Sequence, residues 1–443
     1  MAAPDEVIKR LYNAFDPFRP LPAGDRAYVD CQSVRGDLDV RQEIGSQILL
    51  SDAMTCYLYG GHRGAGKSTE LKRLKQYLEE NKCFVVYFEA DEDDVDPEDA
   101  QYTDILLAST RHLLEDLSDA DPTPLLSWLR ERWQGLQDLA QTEIKFENLS
   151  VQEQIGQFSK LTANIRAVPT LRSQIRNQVN PHTVTLLEAL NTFIKDAKNK
   201  LPYLKEQLVV IADNLDRIVS VAQDDGRTNH EDIYVDRAEQ LKALDCHTVY
   251  TVPISLLYSE RASDLREIYT DTDVLPMIMV QTPNGELYEP GFAKLKDVIY
   301  KRVEPFVEGL SLENGVFDSA ETLERLCIFS GGHVRNLMLL MRSAISYAGA
   351  LPLTKRAVQR AITQSRDTYR RTVQGDQWKV LAQVARTHQI TNDAQHRALL
   401  FNRCLLEYRE ETEDGEILPW YDVHPLIRGI DQFKQAYGNA TPT

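Results

Sequence analysis

The sequence predicts an α/β chain built on a parallel sheet, with a large helical insertion, a helical lid and a C-terminal winged-helix-like domain. Three observations predict it. Residues 54–88 read as strand, glycine-rich loop, helix and strand, a βαβ unit whose two strands must run parallel. Gln207 to Asp213 is a continuous apolar run ending in a carboxylate, the pattern of a central strand buried on both faces. Near the C-terminus two helical periods feed two apolar segments separated by a turn with Asp414-Gly415, a hairpin signal. A length of 443 residues suits several domains at ~150 residues each. The expected division is an N-terminal arm over 1–30, a sheet domain over 31–289 with its insertion at about 100–205, a lid over 290–372 and the winged-helix-like domain over 373–443.

The elements follow in order. Pro17, Pro20 and Pro22 make the arm irregular. Val40, Ile44, Ile48 and Leu49 share one face of a short helix. Met54–Tyr59 and Cys83–Phe88 are strands, and Leu71, Leu74 and Leu78 mark the helix between them. The insertion is helical through Leu106, Leu107, Leu113 and Leu114, then Leu125, Leu126, Trp128 and Leu129, then Thr185 to Ala197. His247–Val252 is a fourth strand, stopped by Pro253, and Met277–Val280 is expected as a fifth. Helices fill 290–372, broken at Ser330-Gly331-Gly332, and two more span 376–388 and 392–402.

Charge and composition exclude several classes. Lys and Arg number 50 against 67 Asp and Glu, a net charge of −17 that disfavours a protein made for gripping phosphate backbones. The eight carboxylates among residues 89–99 read as a solvated acidic loop, and Arg166, Arg172 and Arg176 as a solvated face. Glu407, Glu410, Glu411, Glu413, Asp414 and Glu416 on the hairpin would repel phosphate, and its preceding helix offers only His396 and Arg397 to a groove. Arg366 to Arg371 is the one patch favouring nucleic acid. The six cysteines lack CxxC pairing and read as reduced thiols in apolar surroundings. No apolar run approaches the ~20 residues of a membrane span, and the start lacks an apolar leader, so a cytoplasmic protein without membrane contact is expected.

Gly61-His62-Arg63-Gly64-Ala65-Gly66-Lys67-Ser68 fits G-x-x-x-x-G-K-(S/T), and it sits where that motif must, after a strand and before a helix. Its glycines allow positive φ and turn N–H groups inward as a nest for phosphate oxygens, and the helix dipole adds to the attraction. Lys67 would reach the β- and γ-phosphates, Ser68 would offer its hydroxyl to Mg²⁺, and Thr69 completes the turn. Asp213, at the carboxyl end of its strand, is the second metal ligand. Asp216 either orients or deprotonates the attacking water, or caps the next helix. Asn214 can position water but cannot take its proton, so slow hydrolysis is expected.

This loop, the strand ending in Asp213-Asn214-Leu215-Asp216-Arg217, the strand Val249–Pro253 and Gly331-Gly332-His333-Val334-Arg335 occur in order. Together they resemble P-loop ATPases of the AAA+ and STAND type, nearest to initiator-like and prokaryotic signalling members, over roughly residues 30–345. The resemblance implies a P-loop NTPase fold that takes ATP with Mg²⁺. It implies that Thr251 senses the γ-phosphate, or else satisfies main chain at the strand end. It also implies that Arg335 is the lid's phosphate sensor. Arg217, Arg261 and Arg302 stay open as arginine fingers. The expected function is a slow ATPase switch controlling ATP-dependent self-association or a separate effector protein. The alternatives are a DNA-binding initiator or remodelling ATPase, and a nucleotide-binding scaffold that does not turn over.

Overall fold

The computed structural model describes residues 4–140, 150–202, 205–224, 226–307, 309–412 and 414–439. Chain contacts separate two compact units, Met1–Asp39 with Gly61–Arg73 and Val274–Thr443, and Val40–Gly60 with Leu74–Asp273.

The second unit is organised on the sheet. Strands β1 (Cys56–Gly61), β2 (Cys83–Glu89), β3 (Gln207–Asp213), β4 (His247–Thr251) and β5 (Asp271–Leu275) lie in the order β2-β3-β4-β1-β5. The registers of β1 with β4, β2 with β3 and β3 with β4 are parallel. Leu208 to Ala212 are fully buried, which is why β3 shows no polar alternation. Parallel strands bring their carboxyl ends to one edge. There Asp213 pairs in register with Glu89, and β1 runs on into the glycine loop.

The fifth strand is Asp271–Leu275 rather than the expected Met277–Val280. The latter run is just as buried but does not join the sheet: the N–H groups of Met277 and Met279 donate to the carbonyls of Glu407 and Val34. Extended apolar segments look alike in sequence whether or not they find a sheet edge.

Among the described residues, the helices Tyr102–Asp116, Thr123–Ala140, Val151–Ala167, Pro169–Val179 and Thr183–Asn199 lie between β2 and β3 as the expected insertion. The acidic stretch before them is solvated only in part, with Glu92, Glu98 and Asp99 exposed but Asp94 buried, and Arg172 and Arg176 are not a solvated face. Arg172, only 1% exposed, pairs with Asp96 at 2.6 Å and Asp99 at 2.7 Å, while Arg176 pairs with Asp99 at 2.7 Å and with Asp104. Asp94, also buried, faces Arg111 at 3.1 Å and His112 at 3.0 Å. Fixed-charge pairs can be buried when each guanidinium finds several carboxylate oxygens. A reading of one segment at a time could not see the pairing, because its halves lie some 70 residues apart.

In the first unit the arm begins with a helix, Pro4–Ala14, where an irregular segment was expected; the prolines come only after it. Its Leu11 and Phe15 are buried. Helices Glu289–Val303, Ala320–Ser330, Val334–Ala348 and Lys355–Thr372 follow, with Gly331 and Gly332 forming the expected break. Gly332 has φ +68, and a Cβ there would stand 1.7 Å from the carbonyl oxygen of Ile278, so nothing larger fits. Helices Gln377–Thr387 and Ala394–Phe401 lead to the antiparallel hairpin of β6 (Leu405–Glu411) and β7 (Ile417–Val423), the winged-helix-like arrangement.

Two surface expectations change here. The side chain of Glu407 is fully buried beside Arg409, not on the wing's solvent face, and Arg366 packs over Gly429 and donates to Leu426 O at 3.1 Å rather than joining a basic patch. Glu413 lies outside the described residues. All six cysteines are free thiols and buried, as expected. Among the described residues no helix is long and apolar enough to cross a membrane.

Candidate functional site

The phosphate loop belongs to the first unit. Gly61, Gly64 and Gly66 all take positive φ (134, 89 and 115), and the helix Lys67–Glu80 starts where the loop ends. The Lys67 ammonium is nearly buried, donating to Gly61 O at 2.8 Å and His62 O at 3.1 Å. Ala65 is buried; Ser68 and Thr69 occupy the first helical turn, where Thr69 Oγ1 accepts from Leu21 N–H.

The loop's outer carbonyls and the His62 ring are held by distant pieces of chain from the same unit. From the lid, Nε2 of His333 donates to Arg63 O at 2.8 Å and the N–H of Arg335 donates to Gly64 O at 3.1 Å. The approach is so close that a Cβ on Gly64 would lie 2.6 Å from Cβ of Arg335. From the segment that follows the arm, the Arg35 guanidinium donates to Ala65 O at 2.7 Å, and from the arm the carbonyl of Pro17 accepts from Nε of Arg335 at 3.1 Å. From the wing, the N–H of Glu407 donates to Nε2 of His62 at 3.1 Å. On the side of β6 away from β7, the N–H of Glu407 meets His62 and its carbonyl meets the Met277 N–H, so that edge is closed at this residue. Arg63 places its guanidinium over the ring of Phe401, at 4.6 Å from the centroid.

Burial, and then the charge of Lys67, push the His62 pKa down to about 3, so the ring is neutral and can accept a hydrogen bond. His333 is likewise pushed far down by burial, and His424 to about 3. The Asn336 side-chain amide, 2.6 Å from Nε2 of His424, links the lid to the turn after β7.

Arg35 was missed by sequence reasoning. It is 4% exposed, and its Nε is buried with no hydrogen-bond partner among the described residues. A buried guanidinium not neutralised by a carboxylate, set against a phosphate loop, fits an anionic ligand. Nothing in its local sequence separates it from a surface arginine.

The carboxylate residues belong to the second unit. Asp213 is 1% exposed, and both its oxygens are engaged: Oδ2 accepts from the Tyr87 hydroxyl at 2.7 Å, and Oδ1 from the Asn214 N–H at 2.6 Å. Burial, and then the Asp213 charge, drive the Tyr87 pKa far up, so its hydroxyl stays a donor. Asn214 takes a left-handed conformation, φ 66, and its Nδ2 donates to Oε2 of Glu89 at 3.1 Å. The Thr251 hydroxyl accepts from Leu215 N–H at 2.9 Å and donates to Ala212 O at 3.4 Å, tying the ends of β3 and β4. Tyr87 and Glu89, both overlooked in the sequence, reach this edge from β2.

Asp216 sits nearly buried in the turn Leu215–Arg217. It does not cap the next helix, which starts at Asn229 with Thr228 as its cap. The candidate finger arginines have partners: Arg217 pairs with Asp91, Arg261 with Asp236 and Asp264, and Arg302 donates to Ala27 O and Val298 O. Among the described residues no group of three or more His, Cys, Asp or Glu side chains could hold a metal.

The sequence matches the model of the KAP family P-loop domain over residues 47–221. No curated protein matches it. Among solved structures, the chain is similar to Cdc6p from Pyrobaculum aerophilum, with a TM-score of 0.40 and 12% identity over 96% of this chain and 97% of that one. It is similar to the ORC2 protein of Aeropyrum pernix in its ADPNP-ADP complexes, with a TM-score of 0.42 and 11% identity over 96% and 97%. It is also similar to the Walker-type ATPase PABY2304 of Pyrococcus abyssi, with a TM-score of 0.38 and 14% identity over 93% and 98%. The loop, the sheet and the family match together identify a P-loop NTPase fold.

Proposed function

We propose that this protein binds ATP with Mg²⁺, hydrolyses it slowly, and uses the bound nucleotide to set the arrangement of its lid and winged-helix-like domain. The output is self-association or control of a separate effector protein. In this reading the N–H groups of residues 61–69, Lys67 and Arg35 bind phosphate oxygens, and Ser68 and Asp213 hold the cation, which would offset charge developing on the phosphates. Arg335 keeps the role of lid sensor. Thr251, with its hydroxyl on main chain, fixes the turn that follows Asp213.

One observation carries the switch: the carbonyls of Arg63, Gly64 and Ala65 and the ring of His62 are hydrogen-bonded by the lid, by Arg35 and by the wing. A loop held from outside by three other segments cannot change shape around a ligand without altering those contacts. The surface of the C-terminal domain favours protein over DNA. His396 is buried and bonded to Asp393, while Glu410, Glu411, Asp414 and Glu416 are exposed.

The test is solution mass with and without a slowly hydrolysed ATP analogue, alongside steady-state hydrolysis. An analogue-dependent change of mass, absent from Lys67→Ala, supports the switch. A monomer in every condition removes the self-association output, and turnover that survives Lys67→Ala removes the ATPase assignment. Steeply salt-dependent, submicromolar DNA binding would favour the initiator reading instead.

A further inference from the structure

Two surfaces of the first unit carry opposite charge. Helix Lys355–Thr372 holds six cations against one carboxylate, Asp367. Ala357, Val358, Ala361, Ile362 and Tyr369 bury one face of it. At ~100° per residue, Arg356, Arg360, Arg370 and Arg371 fall within a stripe about 100° wide on the opposite face, and all four are exposed. Arg370 pairs with Asp367, and Arg360 lies over the half-buried ring of Tyr347, 4.4 Å from its centroid. Arg356 and Arg371 join no ion pair among the described residues.

The complement stands on the wing. Glu410 faces Leu418 and Glu411 faces Ile417 across the hairpin, so each surface of its tip sets a carboxylate beside an aliphatic side chain. Ile417 is 38% exposed and Leu418 45%, and the exposed Asp414 and Glu416 extend the charge around the turn. Among the described residues none of these four carboxylates joins an ion pair. Pro419, next along β7 and also exposed, has no N–H to give an added strand, so the tip is built for contact through side chains. Carboxylates around two aliphatic groups match a helix face of arginines laid over an aromatic ring.

We propose that the wing tip of one copy docks on the arginine face of helix Lys355–Thr372 of a second copy, a contact that rests on the self-association output proposed above and gives it its surfaces. A nucleic acid would satisfy the helix but be repelled by the wing of the same unit, whereas a second copy satisfies both surfaces at once. Each copy gives one surface and receives the other. The contact is therefore heterologous and repeats head to tail, closing as a ring or running on as a filament. With a net charge of −17 the copies repel at long range, so the attraction is local and sensitive to salt.

Sedimentation of the full chain with the slowly hydrolysed analogue tests the contact. A wing variant (Glu410→Lys, Glu411→Lys, Glu416→Lys) and a helix variant (Arg356→Glu, Arg360→Glu, Arg371→Glu) are each expected to raise the dissociation constant about 10- to 100-fold. Salt at ~1 M, where charges are screened beyond about 3 Å, should weaken the wild type likewise. All six side chains lie outside the phosphate loop, so analogue affinity is expected to stay at the wild-type value. Should the reversed helix fail to fold, Arg356→Gln with Arg371→Gln carries the comparison. An equal mixture of the two reversed variants is expected to recover oligomers, because the reversed wing meets the reversed helix and the other two surfaces are native.

Oligomers that persist in either variant overturn these surfaces and leave self-association standing. Loss in both variants without recovery in the mixture overturns the pairing of wing with helix. DNA binding abolished in the helix variant while its oligomers remain assigns that face to nucleic acid and overturns the inference. A wild type that binds the analogue yet stays monomeric overturns self-association and this contact together.

Discussion

The Tyr87 hydroxyl donates to Oδ2 of Asp213 across 2.7 Å, and the strand that carries it pairs with β3 residue for residue up to Glu89 and Asp213. The carboxylate proposed as a cation ligand is thus held by one side-chain and one main-chain donor. Tyr87→Phe removes a hydrogen bond to a charged group, worth about 1.5–3 kcal/mol. The half-saturating Mg²⁺ concentration for nucleotide binding is expected to rise severalfold, with the melting temperature slightly lowered. A metal titration at fixed analogue concentration reads the first, and an unchanged midpoint would show that Tyr87 does not orient Asp213.

Arg35→Met should separate stability from binding. Its buried guanidinium is poorly compensated in the free protein, so an apolar replacement of similar length leaves the melting temperature unchanged or raises it. Affinity for the analogue should fall about 10- to 100-fold, the scale of a hydrogen bond to an ionised group. Calorimetry and a melting curve on one sample check both signs. Equal affinity would remove Arg35 from the site.

His62→Leu keeps bulk but removes the acceptor for the Glu407 N–H. Exchange of that amide should quicken about 2- to 12-fold, the equivalent of one hydrogen bond, and any slowing caused by nucleotide at β6 should vanish. His62→Gln, which retains an acceptor, should restore the response. Persistence of the nucleotide effect in His62→Leu would mean the wing is informed by another route.

Acid should unfold the first unit early. His62 and His424 have folded pKa values near 3, and His333 lies well below its usual 6.5, all chiefly through burial. Depressed folded values mean that the unfolded chain binds more protons below about pH 6.5. The stability these neutral rings contribute is complete above that pH and is lost as pH falls toward 3. Three such groups allow a slope of up to about 4 kcal/mol per pH unit. Melting temperatures between pH 8 and 5 should drop steeply below 6.5, and His424→Gln should flatten the drop. A flat profile would contradict neutral burial.

Much of the architecture was legible because it rests on local rules. The apolar run of β3, the glycine loop with its helix, and the Asp-Gly hairpin each announce themselves within about ten residues. Lys67 and Asp213 were legible for the same reason. Tyr87, Glu89 and Arg35 were not, since each acquires meaning only from a partner far along the chain: Asp213, Asn214 and Ala65. Met277–Val280 misled because burial, not strand pairing, set its composition. The same blindness made the acidic stretch look wholly solvated.

That stretch now carries a constraint on substitution. Arg172 and Arg176 share Asp99, and each holds a further aspartate, Asp96 or Asp104. Neutralising Asp99 alone would strip a partner from two buried guanidinium groups, a loss softened by the water that reaches the half-exposed carboxylate. A change at any one of these positions leaves its counterpart short of a partner. A tract whose letters look interchangeable is therefore bound by pairing, and its exposed neighbour Glu98 is expected to tolerate substitution better than Asp99.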